Sequence, residues 1–127
     1  MGNSKIKGNS TELGCMLAFI KKGWVVSIPF GEDSRYDMVV DRGSDIIKVQ
    51  CKYAKYYNNS TLKLTTMHNN KKYIEGEIDY FATIYKDKCY LIPYENKKAI
   101  TLRLVPPKNN QKKSIRFAHD YFIGSII

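Results

Sequence analysis

The sequence predicts an α/β or mixed α+β fold: a central mixed β-sheet with an N-terminal helix packed on it. Three observations support this prediction: helical spacing of apolar residues near the start, a run of short strand-like segments after it, and turn residues between those segments. A helix and a sheet each have a hydrophobic face, and both faces are buried most simply when the helix lies on the sheet. The length of 127 residues suits a single domain over residues 1–127, at about 100–200 residues per domain.

The first predicted element is a helix over residues 9–22. It ends before Gly23, which follows two lysines and is a typical stop signal. Gly14 weakens the helix slightly and can mark a place of close packing. The apolar residues that recur at helical spacing, and that we expect to form the buried stripe, are Leu13, Met16, Leu17 and Ile20.

Most of the remaining chain has the pattern of short strands separated by turns. Residues 24–29 form the first predicted strand, and residues 36–41 and 45–53 form a hairpin. A second hairpin joins residues 79–85 to residues 89–93. Further elements are expected at residues 62–66 and 101–105, as strands, and at residues 114–122, as a short terminal helix.

The charge balance favours a polyanionic partner. Twenty-one Lys and Arg residues against twelve Asp and Glu residues give a net charge of +9. Such an excess neutralises phosphates and releases their counterions, so it suits nucleic acid. A well-charged soluble surface is the competing explanation, and charge alone hardly separates the two. No apolar run approaches the roughly 20 residues needed to cross a bilayer, so no membrane partner is expected.

The spacing of the cysteines favours reduced thiols over disulfides or a zinc site. Cys15, Cys51 and Cys89 are widely spaced, and no CxxC pair occurs. His68 and His119 stand alone, which makes a structural zinc site improbable. We therefore expect three reduced, mostly buried thiols in a cytoplasmic protein.

The first hairpin brings polar groups of three kinds together on one face. Alternate residues of a strand share a face, so Asp37 shares one with Gln50 and Lys52 of the neighbouring strand. A turn that is symmetric about residues 43–44 puts Asp37 opposite Gln50, with Lys52 on the diagonal. Directly opposed Cβ atoms are about 5 Å apart and diagonal ones about 7–8 Å. A carboxylate, an amide and an ammonium group are thus expected on one patch, beside the helix that carries Glu12.

Phosphodiester hydrolysis requires groups of these kinds. Asp37 can hold a divalent metal, and Mg²⁺ typically takes one or two carboxylates and keeps several waters. Lys52 can offset the charge that builds on the phosphate in the transition state. Glu12 can hold a water or a second metal. A surface hairpin with cross-strand ion pairs explains Asp37 or Lys52 taken singly, whereas the joint pattern favours a functional site.

Several segments resemble known nucleases. Residues 36–41 and 48–52 resemble the core of the PD-(D/E)XK nuclease superfamily, and residues 7–13 resemble the N-terminal helix of its archaeal Holliday-junction-resolvase branch. Other segments look closer to a branch that includes group I intron-encoded homing endonucleases, namely residues 29–37, 50–52, 79–93 and 115–121. The resemblance spans nearly the whole chain and implies a restriction-endonuclease-like core.

The resemblance also implies roles for individual residues. Asp37 matches the metal-binding aspartate, Gln50 takes the place of the second acid, and Lys52 takes that of the lysine. Glu12 matches the helix glutamate, and the main-chain carbonyl of Cys51 is expected to be one more metal ligand. The implied catalytic residues are therefore Glu12, Asp37, Gln50 and Lys52, and the implied metal ligands are Asp37, Glu12, Gln50 and Cys51.

This sequence departs from the family pattern at two positions. Tyr36 replaces the proline of the family's name motif, which is a mild change because that proline affects only the local backbone. Gln50 replaces an acid, so the site loses one negative charge and should bind metal more weakly. A dead nuclease is one interpretation. The joint presence of Glu12, Asp37 and Lys52, with the resemblance to an active glutamine-bearing branch, favours activity.

The resulting hypothesis is a metal-dependent DNA endonuclease that uses Mg²⁺, for which Mn²⁺ can substitute. A site-specific double-strand homing endonuclease is the favoured form. The alternatives are a structure-selective Holliday-junction-resolvase-like nuclease and a catalytically inactive DNA-binding module. The basic residues in predicted loops and strand ends, which we expect to contact phosphates of double-stranded DNA, are Arg35, Lys55, Lys63, Lys71, Lys72, Lys108, Lys112 and Lys113.

Cutting two strands is most simply done by two related active sites. We therefore expect a homo-oligomer, either a dimer or a tetramer, with twofold symmetry. The apolar C-terminal segment, residues 122–127, has little reason to be exposed. It can enter the core or seal an interface between subunits, and the interface is the favoured alternative.

Overall fold

A six-stranded β-sheet forms the centre of the fold, and one long helix covers one of its faces. The computed structural model describes residues 4–31, 33–105 and 115–127. The helix, α1, spans Ser4–Lys21. The strands, in chain order, are β1 (Val25–Ser27), β2 (Met38–Asp41), β3 (Ile46–Cys51), β4 (Ala54–Tyr57), β5 (Thr61–Thr65), β6 (Met67–His68), β7 (Lys71–Lys72), β8 (Tyr80–Tyr85), β9 (Lys88–Pro93), β10 (Ala99–Arg103) and β11 (Phe122–Ser125).

The central sheet is mixed, with the strand order β1-β2-β3-β8-β9-β11. Neighbours are antiparallel except β3 and β8, which run parallel. Parallel neighbours need a long crossover connection, and this one contains β4 to β7. Strands β10, β5 and β4 form a second sheet in that order, and β6 and β7 form a two-stranded ribbon. The predicted class, a mixed sheet with an N-terminal helix on it, is confirmed.

The hairpin of β8 and β9 lies between two hydrophobic cores. Successive strand residues point to opposite faces, so Ala82 and Leu91 pack in the core under α1. Phe81 and Ile92 belong to the other core, which they share with residues of the second sheet such as Leu62. The central sheet is therefore covered by the helix on one side and by the second sheet on the other.

The predicted buried stripe of α1 is wrong. Leu13 is 64% exposed, Ile20 53% and Leu17 43%, and Met16 is only half-buried. The face that packs on the sheet is made largely of small residues, and its buried members are Thr11, Gly14, Cys15, Ala18 and Phe19. Small side chains let the helix approach the sheet closely, which helical spacing of large apolar residues does not reveal. The helix also begins five residues earlier than predicted, at Ser4.

Every predicted strand is present, with ends within two residues of the predicted ones. Strands β4, β6 and β7 were not predicted. The turn between β4 and β5 has positive φ angles at Asn58 and Asn59, and that between β6 and β7 has them at Asn69 and Asn70. Consecutive positive φ angles are typical of two-residue hairpin turns, and asparagine tolerates them. The two Asn-Asn pairs were therefore usable sequence signals for both hairpins.

The C-terminal segment differs from its prediction. The predicted helix over residues 114–122 reduces to a 3₁₀ turn at Ala118–Tyr121, followed by β11. This strand pairs antiparallel with β9. Ile123 and Ile126 pack against the core under α1. These two side chains are only partly buried there, and Phe122 and Ile127 are exposed, so the favoured assignment of this segment to a subunit interface stays a prediction.

The three cysteines are free and buried, as predicted. Cys15 of α1 faces Cys51 of β3 and Cys89 of β9 across the packed helix–sheet contact. In the three described ranges, no helix has both the length and the hydropathy that crossing a membrane requires.

Candidate active site

The β2–β3 hairpin has the predicted register. Met38 pairs with Val49 and Val40 pairs with Ile47, and all four side chains are buried under α1. Asp37 stands directly before β2, and its main-chain N–H donates to the carbonyl of Val49 at 2.8 Å. The polar face predicted for this hairpin is thus opposite to its buried apolar face, and it begins at the strand end where Asp37 lies.

A backbone hydrogen bond holds the carboxylate of Asp37. Its Oδ2 accepts the main-chain N–H of Cys51 at 2.8 Å. Among the described residues, Oδ1 has no hydrogen-bond partner. Burial raises the pKa of Asp37, and the hydrogen bond from Cys51 and the charges of Lys52 and His68 partly oppose that rise. The carboxylate is thus oriented by the chain itself, with one oxygen left for a ligand.

Glu12 brings a second carboxylate to this place from α1. Its side chain is half-buried and lines a shallow cavity. Burial raises the pKa of Glu12, and the negative charge of Asp37 raises it further. Two partly desolvated like charges are unfavourable on their own, and a bound cation would relieve both the repulsion and the loss of hydration.

Lys52 follows β3 and supplies the positive charge of the site. Its Nζ donates to the carbonyl of Met67 at 2.8 Å and lies 5.2 Å from the ring centre of Tyr73. Burial lowers the pKa of Lys52; attraction to Asp37 opposes this, and repulsion from Arg35 adds to it. The hydrogen-bond partner of this ammonium group is neutral, and Lys52 forms no salt bridge with another described residue.

Gln50 lies on β3, two residues before Lys52. Its backbone pairs with Phe81 of β8, in the parallel part of the sheet. The side chain is half-buried. In the part of the chain that the structure describes, its amide makes no hydrogen bond, so both of its polar atoms remain available.

The metal-ligand set that the resemblance implies is chemically suited to a hard divalent cation. Its members are the carboxylates of Asp37 and Glu12, the amide of Gln50 and the main-chain carbonyl of Cys51, and such oxygens are the ligands that Mg²⁺ prefers. Across residues 4–31, 33–105 and 115–127, no cluster of three His, Cys, Asp or Glu residues has metal-binding geometry. A set built on two acids, an amide and a carbonyl would not form such a cluster.

Three neighbours of this site were not foreseen from the sequence. Tyr73 is 1% exposed, and its ring contacts both Lys52 and the guanidinium of Arg35. Burial raises the pKa of Tyr73 to about 12, so the ring stays neutral. Met67 contributes its carbonyl to Lys52, and His68 lies near enough to Asp37 to interact with it electrostatically. All three residues belong to the crossover between β3 and β8, which folds back over the site. No local sequence pattern predicts this return of the chain.

The predicted DNA-contacting residues lie at several places. Lys55 of β4 and Lys63 of β5 are exposed cross-strand partners in the second sheet. Like charges placed directly opposite each other are unfavourable, and a bound anion would relieve this. Lys71 and Lys72 are exposed on β7. The predicted residues that lie outside the described part of the chain are Lys108, Lys112 and Lys113.

Arg35 differs from the exposed lysines because it is half-buried, two residues before Asp37. Its Nη2 lies 3.6 Å from the Oε1 of Glu77, and its Cζ lies 4.5 Å from the ring centre of Tyr73. It also borders a cavity with Lys48 and Glu77. Of the predicted basic residues that the structure describes, Arg35 has the contacts closest to the Asp37 site.

Comparisons with known proteins agree with this architecture. In its fold, the chain is similar to a solved structure of a bacterial homing endonuclease, I-Ssp6803I, with a TM-score of 0.70 and 21% sequence identity. The match covers 96% of this chain and 88% of that chain, and it supports a restriction-endonuclease-like fold. No curated protein matches the chain in sequence.

A sequence-family comparison gives the assignment. The model described as PD-(D/E)XK endonuclease matches residues 2–123, a range that contains α1, the β2–β3 hairpin and the crossover to β8. Members of this family generally use divalent metal ions. Since the match extends over nearly the whole sequence, the chain belongs to the PD-(D/E)XK endonuclease family.

Proposed function

We propose that the protein is a Mg²⁺-dependent, site-specific endonuclease of homing type that cuts double-stranded DNA. The observation that supports the proposal is that the carboxylate of Asp37, directly before β2, interacts electrostatically both with Glu12 of α1 and with Lys52 after β3. The family supports a nuclease, and the fold neighbour is a bacterial homing endonuclease. We further propose that residues 1–127 act as one domain, in the cytoplasm, where free thiols such as these persist.

The proposed metal ligands are the side chains of Asp37, Glu12 and Gln50 and the main-chain carbonyl of Cys51. A bound divalent ion would polarise the phosphoryl oxygen and lower the pKa of its water. Hydrolysis adds the oxygen of water to phosphorus and breaks the bond to the leaving deoxyribose oxygen, which takes up a proton. Lys52 places its ammonium group where negative charge grows on the phosphate, and in this low-dielectric position that charge acts strongly.

The exposed lysines of the second sheet and of β7 are proposed to hold the DNA backbone. Lys55, Lys63, Lys71 and Lys72 contact phosphates in this proposal, without reading sequence. Each such contact releases counterions, so binding should weaken as the salt concentration rises. Base recognition must come from other side chains.

We propose that the active protein is a homo-oligomer, because one active site cuts one strand. The exposed apolar residues of α1 are a candidate contact between copies, since Leu13, Leu17 and Ile20 form one uncovered stripe beside Glu12. A twofold contact along this stripe would bring two active sites near each other. The proposed partners are therefore double-stranded DNA and a second copy of the chain.

Substrate choice is the experiment that tests the proposed function. The purified protein is incubated with a library of randomised DNA duplexes and, separately, with four-way junctions, in Mg²⁺ and in Mn²⁺. We expect cutting of a small, defined subset of duplexes and no general cutting of junctions. Cutting of junctions whatever their sequence would replace the homing assignment by a resolvase. Salt-sensitive binding without cutting in either metal would leave a DNA-binding module.

A further inference from the structure

The guanidinium group of Arg35 is charged and half-buried, and its ion pair with Glu77 is a long one. Its Nε and Nη2 are buried and have no hydrogen-bond partner among the described residues. The distance of 3.6 Å to Glu77 exceeds a hydrogen bond, and that carboxylate oxygen already accepts the main-chain N–H of Ile74 at 2.7 Å. The charge of Arg35 is thus only partly compensated within the part of the chain that the structure describes.

Two other arginines show what a fully paired guanidinium looks like in this protein. Arg42 holds both oxygens of Asp45, with Nε 2.7 Å from Oδ1. Arg116 holds both oxygens of Glu95. Each of these pairs is a bidentate arrangement, in which the guanidinium and the carboxylate satisfy each other. Arg35 lacks such a bidentate partner among the described residues, although two of its guanidinium nitrogens are buried.

Tyr73 holds Arg35 close to Lys52. The centre of this buried ring lies 4.5 Å from the Cζ of Arg35 and 5.2 Å from the Nζ of Lys52. The sum of these two distances is therefore an upper limit for the separation between Cζ and Nζ. Phe81 packs edge-on against the ring at 5.6 Å, and the Tyr73 carbonyl accepts the hydroxyl of Tyr94 at 2.6 Å. The ring is therefore fixed, and it keeps two like charges near each other at a partly desolvated place.

We propose that Arg35 is a second cationic catalytic residue and that, with Lys52 against the ring of Tyr73, it forms a seat for the phosphate group that is cut. This inference rests on the proposed function and adds to it a residue that the four-residue set does not contain. Two neighbouring cations with no bidentate anion are costly in the free protein, and a doubly charged transition state offsets that cost. The fork of a guanidinium also matches phosphate geometry, which a lysine at the same place would not.

The proposed role differs from that of the exposed lysines. A backbone contact made by Lys63 contributes equally to the bound substrate and to the transition state, so its loss should weaken binding and leave the rate on saturated enzyme unchanged. A cation at the phosphate under attack acts most strongly when charge builds up there. Loss of Arg35 should therefore lower the rate of the chemical step, by about 100-fold or more, with little change in the dissociation constant.

The test measures single-turnover cleavage at saturating DNA, and DNA binding, for wild type, Arg35→Ala and Arg35→Lys. Lys21→Ala is the matched control, since it removes one positive charge at the exposed far end of α1. We expect a loss of about 100-fold for Arg35→Ala, an intermediate rate for Arg35→Lys, and wild-type behaviour for Lys21→Ala. Added guanidinium ion, well below denaturing concentrations, should restore part of the Arg35→Ala rate. Thermal unfolding shows whether each variant is folded.

Two results would overturn the inference. If Arg35→Ala cleaves saturating DNA as fast as wild type does, Arg35 has no role in the chemical step. A folded Arg35→Ala whose defect disappears at higher DNA concentration makes Arg35 an ordinary backbone contact. Failure of the proposed function would look different, because wild type and Lys21→Ala would then cut no DNA either. In that case the role inferred for Arg35 would be rejected together with the proposed function.

Discussion

The decisive difference from the family pattern is one residue, Gln50. An amide oxygen can bind a cation but carries no charge, so the site has two carboxylates where the family pattern would supply three. Gln50→Glu should therefore lower the metal concentration needed for half-maximal cleavage, because it adds a negative charge beside the cation. A metal titration of the cleavage rate measures this. An unchanged titration curve would show that residue 50 is not a metal ligand.

Asp37 carries the clearest trade-off between stability and function. Burial raises its pKa in the folded state, so the free energy of unfolding falls as the pH rises from the ordinary aspartate range to that raised pKa, and it stays lower above it. Asp37→Asn removes this cost. At neutral pH without metal, the variant should be more stable than wild type and should not cut DNA. Thermal unfolding and a cleavage assay measure the two effects.

Divalent metal is the control for this prediction. Added Mg²⁺ should raise the melting temperature of wild type, because it binds only the folded state, and should do so much less for Asp37→Asn. An Asn variant that is less stable than wild type at neutral pH, or that gains equal stability from metal, would contradict the assignment of Asp37.

At the scale of elements, the packing of α1 on the sheet depends on small residues. A Cβ added to Gly14 would lie 2.9 Å from Cγ1 of Ile84, whereas a Cβ added to Gly8 meets nothing within 4 Å. Gly14→Ala should therefore destabilise the protein by about 1–3 kcal/mol through overpacking. Gly8→Ala, exposed in the same helix, should stabilise it by roughly 0.5–1 kcal/mol. Urea denaturation of both variants measures this, and equal effects would contradict the packing.

The C-terminal strand is the second element that can be tested alone. Ile123 and Ile126 pack on the core, and the main-chain N–H of Ile126 donates to the carbonyl of Asp87 at 2.8 Å. Deletion of residues 123–127 should therefore lower the melting temperature of the isolated chain. If the deletion leaves the melting temperature unchanged but abolishes the oligomer, the segment forms a subunit interface and is not part of the core.

Local patterns predicted the hairpin that carries the site. One short turn connects the strand that follows Asp37 with the strand that leads through Gln50 to Lys52. Strand alternation and the symmetry of this turn were therefore enough to predict the register. The buried face of α1 was missed because it depends on the shape of the sheet beneath it. Tyr73 and Met67 were missed because a connection between parallel strands brings them back to Lys52, and such a connection leaves no spacing pattern in the sequence.

For the whole molecule, the expected oligomer remains a prediction, and α1 suggests how to test it. Leu17 is exposed on the apolar stripe of the helix. Leu17→Lys should reduce the mass of the protein in solution to that of one chain and should convert double-strand cutting into slow nicking, because each chain keeps its own active site. Sedimentation and gel analysis of cut plasmid measure both. An unchanged mass would remove the stripe as an interface.

The decisive experiment for the proposed nuclease site is single-turnover cleavage by wild type, Asp37→Ala and Lys52→Ala, with DNA binding measured in parallel. We expect Mg²⁺-dependent cutting by wild type, no detectable cutting by either variant, and binding by both variants close to that of wild type. Cutting that survives both substitutions, or a wild type that cuts no DNA with either Mg²⁺ or Mn²⁺, would show that these residues do not form a nuclease site.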